Sequence, residues 1–155
     1  MQNADGSCGF YSDMKILVIH GPNLNLLGRR ETGVYGAETF DSLNRRIVSL
    51  CSELGMDVEI FQSNSEGGIV DAIQTKPYDL LVINPAAYTH TSIAIRDAIA
   101  AMARPVIEVH ISNIYTREEF RKHSYISGVS TGQISGLGTE GYLLAVRAAQ
   151  TLLSK

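Results

Sequence analysis

A histidine and a glutamate two positions apart are the residues of this chain best suited to moving protons. His110 can act as a general acid or base near neutral pH, because imidazole ordinarily has a pKa of about 6.5. Glu108 falls on the same side of an extended strand, so its carboxylate could hold one nitrogen of the His110 ring. A structural histidine with satisfied hydrogen bonds is the alternative interpretation. The pair predicts a reaction that proceeds by proton transfer.

A tyrosine in a glycine- and asparagine-rich stretch is the second candidate for proton transfer. Tyr35 lies within residues 21–36, a long loop of the kind that often closes over a ligand. Its phenol, with an ordinary pKa of about 10, could act as a base if a guanidinium favoured the phenolate. Arg30 stands five residues earlier in the same loop and could supply that charge. On the residues alone, an ordinary loop tyrosine remains the alternative.

Apolar runs that alternate with helical periodicity must position these residues. The run at residues 16–19 suits a strand buried on both faces, and the runs at 58–61, 80–83 and 106–109 predict three further strands. Residues 133–135 could form a fifth, short strand. Strand–helix alternation predicts a five-stranded parallel sheet with helices on both faces. Right-handed crossovers make a flavodoxin-like, doubly wound α/β fold the simplest arrangement.

Polar residues follow three of the predicted strands. Asn23 comes after the first strand, Asn84 after the third, and His110 ends the fourth. In open α/β sheets, ligands bind beyond the carboxyl ends of the strands, at the point where the strand order reverses. The topology therefore predicts one site beside the first strand, with these side chains around it.

Two helix starts can be placed from the sequence. Thr91 or Ser92 could cap the third predicted helix. Thr116 and Glu119 have capping-box spacing, which predicts a short helix with Phe120 on its apolar side.

Composition bounds the class of protein. The chain has 155 residues, of which 45% are hydrophobic, and a formal net charge of −3. This size suits one core, the charge gives no basic face for nucleic acid, and no apolar run reaches the roughly 20 residues that span a bilayer. We expect a cytoplasmic protein with no nucleic-acid or membrane partner. Residues 14–155 would form a single catalytic domain, and residues 1–13 a disordered extension or a cloning remnant.

Cofactor and nucleophile motifs match only in part. Residues 136–141 fit G-x-G-x-x-G, without the acidic residue that a dinucleotide site places about 20 positions later. Residues 128–132 fit G-x-S-x-G, without the helix that must follow the serine of a hydrolase. No lysine falls at the carboxyl end of a predicted strand, which disfavours a Schiff base, and no pattern typical of metal ligands is present. We expect neither a cofactor nor a metal.

Two other functions stay open on the residues alone. A non-catalytic flavodoxin-like binding module could use the same strand-end pocket. A metal-dependent hydrolase could use His90, His110 and Glu108.

Three longer motifs lie in order along the chain. GPNLNLLGRRE at residues 21–31 is followed by Tyr35, and NPAAYTHTS occupies residues 84–92. The third, EVHISN at residues 108–113, is followed by Arg121. Across residues 14–155 the chain resembles the type II 3-dehydroquinate dehydratases. Such a match is far more specific than any single short pattern.

The resemblance implies a reaction and its catalytic residues. In that family 3-dehydroquinate loses water to give 3-dehydroshikimate, a step of aromatic amino-acid biosynthesis in the shikimate pathway, through an enolate and without a cofactor. By resemblance, Tyr35 is the base and Arg30 assists it. Asn23 helps to hold a water on the enolate oxygen, and His110, oriented by Glu108, is the general acid.

Substrate-binding residues carry over from the same resemblance. It places the substrate carboxylate on Asn84 and on the backbone amides of Ile111 and Ser112. It places the ring hydroxyls against His90 and Arg121.

One acidic residue has a role between subunits in the family. Asp97 matches a residue that a neighbouring subunit supplies to the site, which implies a homo-oligomer, by resemblance a dodecamer built from trimers. The chain departs from the family pattern at Ala86, where glycine is usual, and at Lys122, where histidine is common.

Overall fold

The computed structural model describes residues 14–29 and 37–155, and in this part of the chain five parallel strands form one sheet. The strands are β1 (Lys15–His20), β2 (Asp57–Gln62), β3 (Leu80–Asn84), β4 (Val106–His110) and β5 (Gly132–Ser135). The α-helices of the described residues are α1 (Phe40–Glu53), α2 (Glu66–Thr75), α3 (Ile93–Met102) and α4 (Glu140–Leu153).

The strand order is β2-β1-β3-β4-β5, so the chain builds outward in one direction from β1 and then in the other. β3 and β4 are buried along their whole length, which explains why their sequences show no polar alternation. The reversal between β1 and β3 is the switch point of a doubly wound sheet. The predicted flavodoxin-like fold is confirmed.

Helices cover both faces of the sheet because alternate strand residues point to opposite sides. One core packs α1 and α4 onto the sheet, and its strand residues are Ile16, Val18, Leu80, Val82, Ile107 and Val109. The other packs α2 and α3, and its strand residues are Leu17, Ile19, Leu81, Ile83 and Val106. Residues that follow one another on a strand therefore face different helix pairs, and this decides what each strand end can reach.

The two predicted helix starts had different outcomes. Ser92 begins α3, and its side chain accepts a hydrogen bond from the Ile95 amide at 2.9 Å, as a capping serine should. The prediction of a helix that begins at Thr116 is wrong. Short 3₁₀ turns occupy Ile114–Thr116 and Glu119–Arg121 instead.

Competing local hydrogen bonds explain the missing helix. The Thr116 hydroxyl donates to the Asn113 carbonyl at 3.0 Å, so it does not cap the residues that follow. Glu119 pairs with Lys122 at 2.6 Å instead of reaching back toward Thr116. Phe120, predicted to lie on an apolar face, is 67% exposed. In the described residues, no helix is long and apolar enough to cross a membrane.

Candidate active site

The loops that follow β1 and β3 meet at the switch point. The Gly21 amide donates to the Asn84 carbonyl at 2.8 Å. A side chain at position 21 would start 2.5 Å from the Pro85 carbonyl oxygen, so only glycine permits this approach. The first residue of the GPN motif thus brings the polar residues after these two strands together.

A cavity of about 200 Å³ opens at this edge of the sheet. Seven of the predicted site residues line it: Asn23, Asn84, His90, His110, Ile111, Ser112 and Arg121. Apolar side chains from the β1 loop close one side, among them Leu24 and Leu27, and Arg117 also lines the cavity. The predicted convergence of three strand ends on one pocket is observed.

The His110 ring is held by the carboxylate of Glu108. The His110 Nε2 lies 2.7 Å from the Glu108 Oε1, and both residues are buried. A carboxylate only accepts hydrogen bonds, so Nε2 carries the hydrogen and donates it. The other ring nitrogen, Nδ1, is then the one left to exchange a proton with a ligand in the cavity.

Glu108 is itself fixed by side chains from three separate segments. The Thr89 hydroxyl donates to its Oε1, as does Ser124 at 2.7 Å. Gln133, on the edge strand β5, donates to Oε2 at 3.1 Å. Burial opposes the charge of this carboxylate. The hydrogen bonds from His110, Thr89 and Ser124 outweigh burial and hold the pKa of Glu108 below its ordinary value.

His90 faces the same cavity as a neutral ring. Its Nδ1 donates to the His123 carbonyl at 2.7 Å, which leaves Nε2 as an acceptor. Burial lowers the pKa of His90, and the nearby Arg121 guanidinium lowers it further. The ring stacks on that of His110 with centroids 6.5 Å apart. His90 is therefore suited to accept a hydrogen bond from a ligand hydroxyl.

Two arginines give the cavity a positive rim. Arg121 and Arg117 both pair with Glu118, at 3.0 Å and 3.5 Å. Both guanidinium groups therefore lie at the rim of the cavity beside one carboxylate. Arg117 was not among the predicted site residues, although its position four residues before Arg121 could have indicated it.

Of the four other predicted site residues, Glu108 holds the His110 ring and Asp97 does not line the cavity. Asp97 is exposed on α3, where it pairs with Arg96 at 2.6 Å. Tyr35 and Arg30 lie outside the described residues. The predicted general acid and most of the binding residues are together, while the predicted base remains a prediction from the sequence.

The G-x-S-x-G match does not form a nucleophile elbow. Ser130 lies between the 3₁₀ turn Ser127–Val129 and β5, and its hydroxyl donates to the Ile126 carbonyl at 3.0 Å. No helix follows the serine to raise it above the sheet, as a hydrolase requires.

Fold and site together define a flavodoxin-like α/β protein whose sheet edge presents a carboxylate-held histidine for general acid–base chemistry. The family model "Dehydroquinase class II" matches residues 14–150. A 3-dehydroquinate dehydratase of Desulforudis audaxviator is 57% identical over 144 residues, which cover 92% of this chain and 96% of that protein. One of Geotalea daltonii is 58% identical over 137 residues, covering 87% and 95%.

A solved structure gives the same answer. The crystal structure of the type II dehydroquinase from Butyrivibrio crossotus superposes with a TM-score of 0.85 at 50% identity, covering 88% of this chain and 97% of that one. This chain belongs to the class II dehydroquinase family. The resemblance seen in its motifs is confirmed, and with it the expectation of an enzyme.

Proposed function

We propose that this protein dehydrates 3-dehydroquinate to 3-dehydroshikimate without a cofactor, with Tyr35 as base and His110 as general acid. The observation that carries the proposal is the His110 ring, held at 2.7 Å by a buried Glu108, in a cavity at the switch point of the sheet. The relatives bear the name 3-dehydroquinate dehydratase, which supports the choice of substrate.

The first step removes a proton alpha to the ketone. Tyr35, as a phenolate assisted by Arg30, takes that proton, and the electron pair of the C–H bond moves onto the ketone oxygen. The resulting enolate needs hydrogen-bond donors placed where its charge develops. Asn23 lines the cavity, and we assign it to hold the water that donates to the enolate oxygen.

The second step expels the hydroxyl group beta to the ketone. His110 gives the proton on Nδ1 to this hydroxyl as its C–O bond breaks, and the enolate electrons form the new C=C bond. One proton reaches Tyr35 and one leaves His110, so the reaction releases one water and changes no oxidation state. Both residues end in the opposite protonation state and must exchange protons before the next turnover.

Binding follows from what each lining group can offer. The buried Asn84 amide and the backbone N–H groups of Ile111 and Ser112 are donors suited to the substrate carboxylate. His90 and Arg121 are an acceptor and a donor for its ring hydroxyls. The Arg117 and Arg121 guanidinium groups at the rim favour entry of an anion.

The assembly is part of the proposal. Asp97 lies on the exposed side of α3 and away from its own cavity, as expected for a carboxylate that serves a neighbouring subunit. We propose that the protein forms a homo-oligomer, a dodecamer built from trimers. We also propose that it works in the cytoplasm. Light scattering that returned the monomer mass would reject this assembly without affecting the chemistry.

Near-ultraviolet absorbance tests the function directly. Dehydration conjugates the new C=C bond with the ketone, so turnover of 3-dehydroquinate by the purified, chelator-treated protein should appear as a rising absorbance. A rise would establish the activity and its independence of a removable metal together. A flat trace from folded protein would reject the proposed function.

A further inference from the structure

The loop after β2 is bonded to the loop that carries Asn23, although no described residue of β2 or of its loop lines the cavity. Gln62 ends β2, His20 ends β1 and Asn84 ends β3, and His20 is the register partner of the other two. The Asn23 backbone N–H donates to the side-chain oxygen Oδ1 of Asn64 at 3.0 Å. Asn64, two residues past β2, therefore holds a residue that follows β1.

The orientation of the Asn64 side chain is fixed by its partners. A backbone N–H can only donate, so the atom that meets Asn23 must be the oxygen of the amide. Gln62 Nε2 donates to the same oxygen at 3.1 Å. The same nitrogen lies 3.3 Å from the Gly21 carbonyl, a second acceptor, so Gln62 also has one orientation. Asn64 thus presents a doubly bonded oxygen to the β1 loop.

A tyrosine from the loop after β3 fixes the backbone of Asn64. Tyr88 lies in the NPAAYTHTS motif, and its hydroxyl donates to the Asn64 carbonyl at 2.7 Å. Tyr88 is not among the residues that line the cavity. The loops after β1, β2 and β3 are therefore joined at one residue, Asn64.

The backbone of Asn23 explains why this support matters. Its φ is 68°, in the left-handed region that residues other than glycine seldom adopt. Asparagine often caps a helix with its side chain, yet Asn23 makes no such bond to the 3₁₀ turn Leu24–Leu26 that it precedes. The turn leaves the side chain of Asn23 available to a ligand in the cavity that Asn23 lines.

We propose that Asn64 is a positioning residue that holds Asn23 in the conformation that serves the cavity, and that Tyr88 supports Asn64. This inference rests on the proposed function, which gives Asn23 the water on the enolate oxygen. The enolate charge develops only as the alpha proton leaves, so displacing Asn23 should weaken binding of the transition state more than binding of the substrate. Loss of such an interaction lowers kcat and leaves KM unchanged.

Two substitutions of Asn64 separate the acceptor from the rest of the side chain. Asn64→Ala removes the oxygen, and Asn64→Asp keeps an oxygen at its position. We expect Asn64→Ala to lower kcat for 3-dehydroquinate about three- to tenfold, the effect of one hydrogen bond, with KM within about twofold of the parent. Asn64→Asp should keep kcat within about twofold. A parental kcat in Asn64→Ala, or an equal loss in both variants, would overturn the inference.

Ser65→Ala is the matched control for a loosened loop. Ser65 follows Asn64, and its hydroxyl accepts from the Gly68 amide at 3.2 Å where α2 begins. The variant should lower thermal stability and keep the parental kcat. Equal falls of kcat in Asn64→Ala and Ser65→Ala would mean that the loop acts only through its stability, which would also overturn the inference.

Tyr88→Phe tests the bond from the third loop. We expect a smaller fall of kcat, about two- to fivefold, because the Asn64 side chain keeps both of its donors. Tyr78→Phe is the matched control, since the Tyr78 hydroxyl also donates to a backbone carbonyl, that of Ile73 at 3.0 Å, in the core beneath α2 and α3. Equal kinetic constants in the two variants would overturn the role of Tyr88.

Hydrogen exchange of the Asn23 backbone amide does not depend on turnover. Its signal can be assigned in protein labelled with ¹⁵N-asparagine by its absence in Asn23→Asp. Exchange should be faster in Asn64→Ala than in the parent, and parental in Asn64→Asp and Ser65→Ala. Parental exchange in Asn64→Ala would overturn the inference. If the parent shows no turnover, the proposed function fails and this measurement alone decides whether Asn64 holds Asn23.

Discussion

The imidazole of His110 donates its Nε2 hydrogen to the buried carboxylate of Glu108 across 2.7 Å. The bond fixes the ring plane and selects Nδ1 as the nitrogen that meets a ligand. Because Glu108 is 0% exposed and takes further hydrogen bonds from Thr89, Ser124 and Gln133, the ring cannot turn without breaking a buried network. The acid of the proposed reaction is therefore held in place before substrate arrives.

Replacing Glu108 by glutamine tests whether the carboxylate orients the His110 ring, apart from the space that the side chain fills. Glu108→Gln keeps the size of the side chain but places an NH₂ group toward either His110 or Gln133, both of which donate to it now. We expect kcat to fall about 10- to 100-fold, less than the 10²–10⁴ that a general acid itself contributes. Absorbance kinetics measure the loss.

Glu59→Gln is the matched control for that variant. Glu59 lies on β2 and pairs with Lys76 at 2.6 Å, away from the cavity. Its replacement should leave kcat unchanged. A Glu108→Gln enzyme with parental kcat would show that the His110 ring needs no carboxylate for orientation.

The tyrosine proposed as base gives a sharper test. Tyr35→Phe should keep the fold and lower kcat by about 10²–10⁴-fold, because no group then removes the alpha proton. Single-turnover absorbance detects the residual rate, and thermal unfolding confirms the fold. Tyr125→Phe, which changes a partly exposed tyrosine beside His123, should keep the parental rate. Near-normal rates in Tyr35→Phe would reject Tyr35 as the base.

The fold was predictable because its signals are local. A β-branched run without alternation indicated the buried strand β1, and Thr91 or Ser92 before an apolar run indicated the start of α3. The rule that ligands bind at the switch point then predicted that Asn23, Asn84 and His110 lie at one edge of the sheet, without any knowledge of their contacts. Each step needed only residues near one another in the chain.

The support around Glu108 was not predictable. Thr89, Ser124 and Gln133 lie 19, 16 and 25 residues from Glu108, and serine, threonine and glutamine occur on any surface. Tyr142 is 122 residues from His20, to which its hydroxyl is hydrogen-bonded. Tertiary packing decides which of these side chains meet, and short patterns in the sequence carry no information about it.

The backbone of Ala86, in the loop after β3, should carry a conformational cost. Ala86 has a φ of 51°, in the left-handed region that costs an L-residue about 1–2 kcal/mol. Glycine removes this strain and adds about 0.4–1 kcal/mol of unfolded-state entropy in return. Ala86→Gly should therefore raise the free energy of unfolding by about 0.5–1 kcal/mol. Urea unfolding at fixed protein concentration measures it.

Ala103 provides the matched comparison for the same change. It caps the C-terminal end of α3 with a φ of 50° and does not line the cavity. Ala103→Gly should give a similar gain and leave KM unchanged. A gain at position 103 with a loss at position 86 would show that the loop after Asn84 is stabilised by its alanine.

His20 should make the stability of the fold depend on pH. Burial lowers its pKa from the ordinary 6.5 to about 4 in the folded protein, so between these values the unfolded chain binds more protons. Unfolding free energy then rises with pH. The stabilisation is complete above about pH 6.5 and is lost as pH falls toward about 4, by about 3 kcal/mol in all.

A variant without this titration isolates the contribution of His20. The lowered pKa of His90 acts in the same pH window, so the slope of the parent contains both histidines. His20→Gln keeps an amide that can donate and accept but cannot bind the proton, and it should flatten the urea-derived slope between about pH 6.5 and 4.5. Tyr78→Phe should lower stability by a constant amount and keep the parental slope. A parental slope in His20→Gln would mean that the buried ring is not the group that takes up the proton on unfolding.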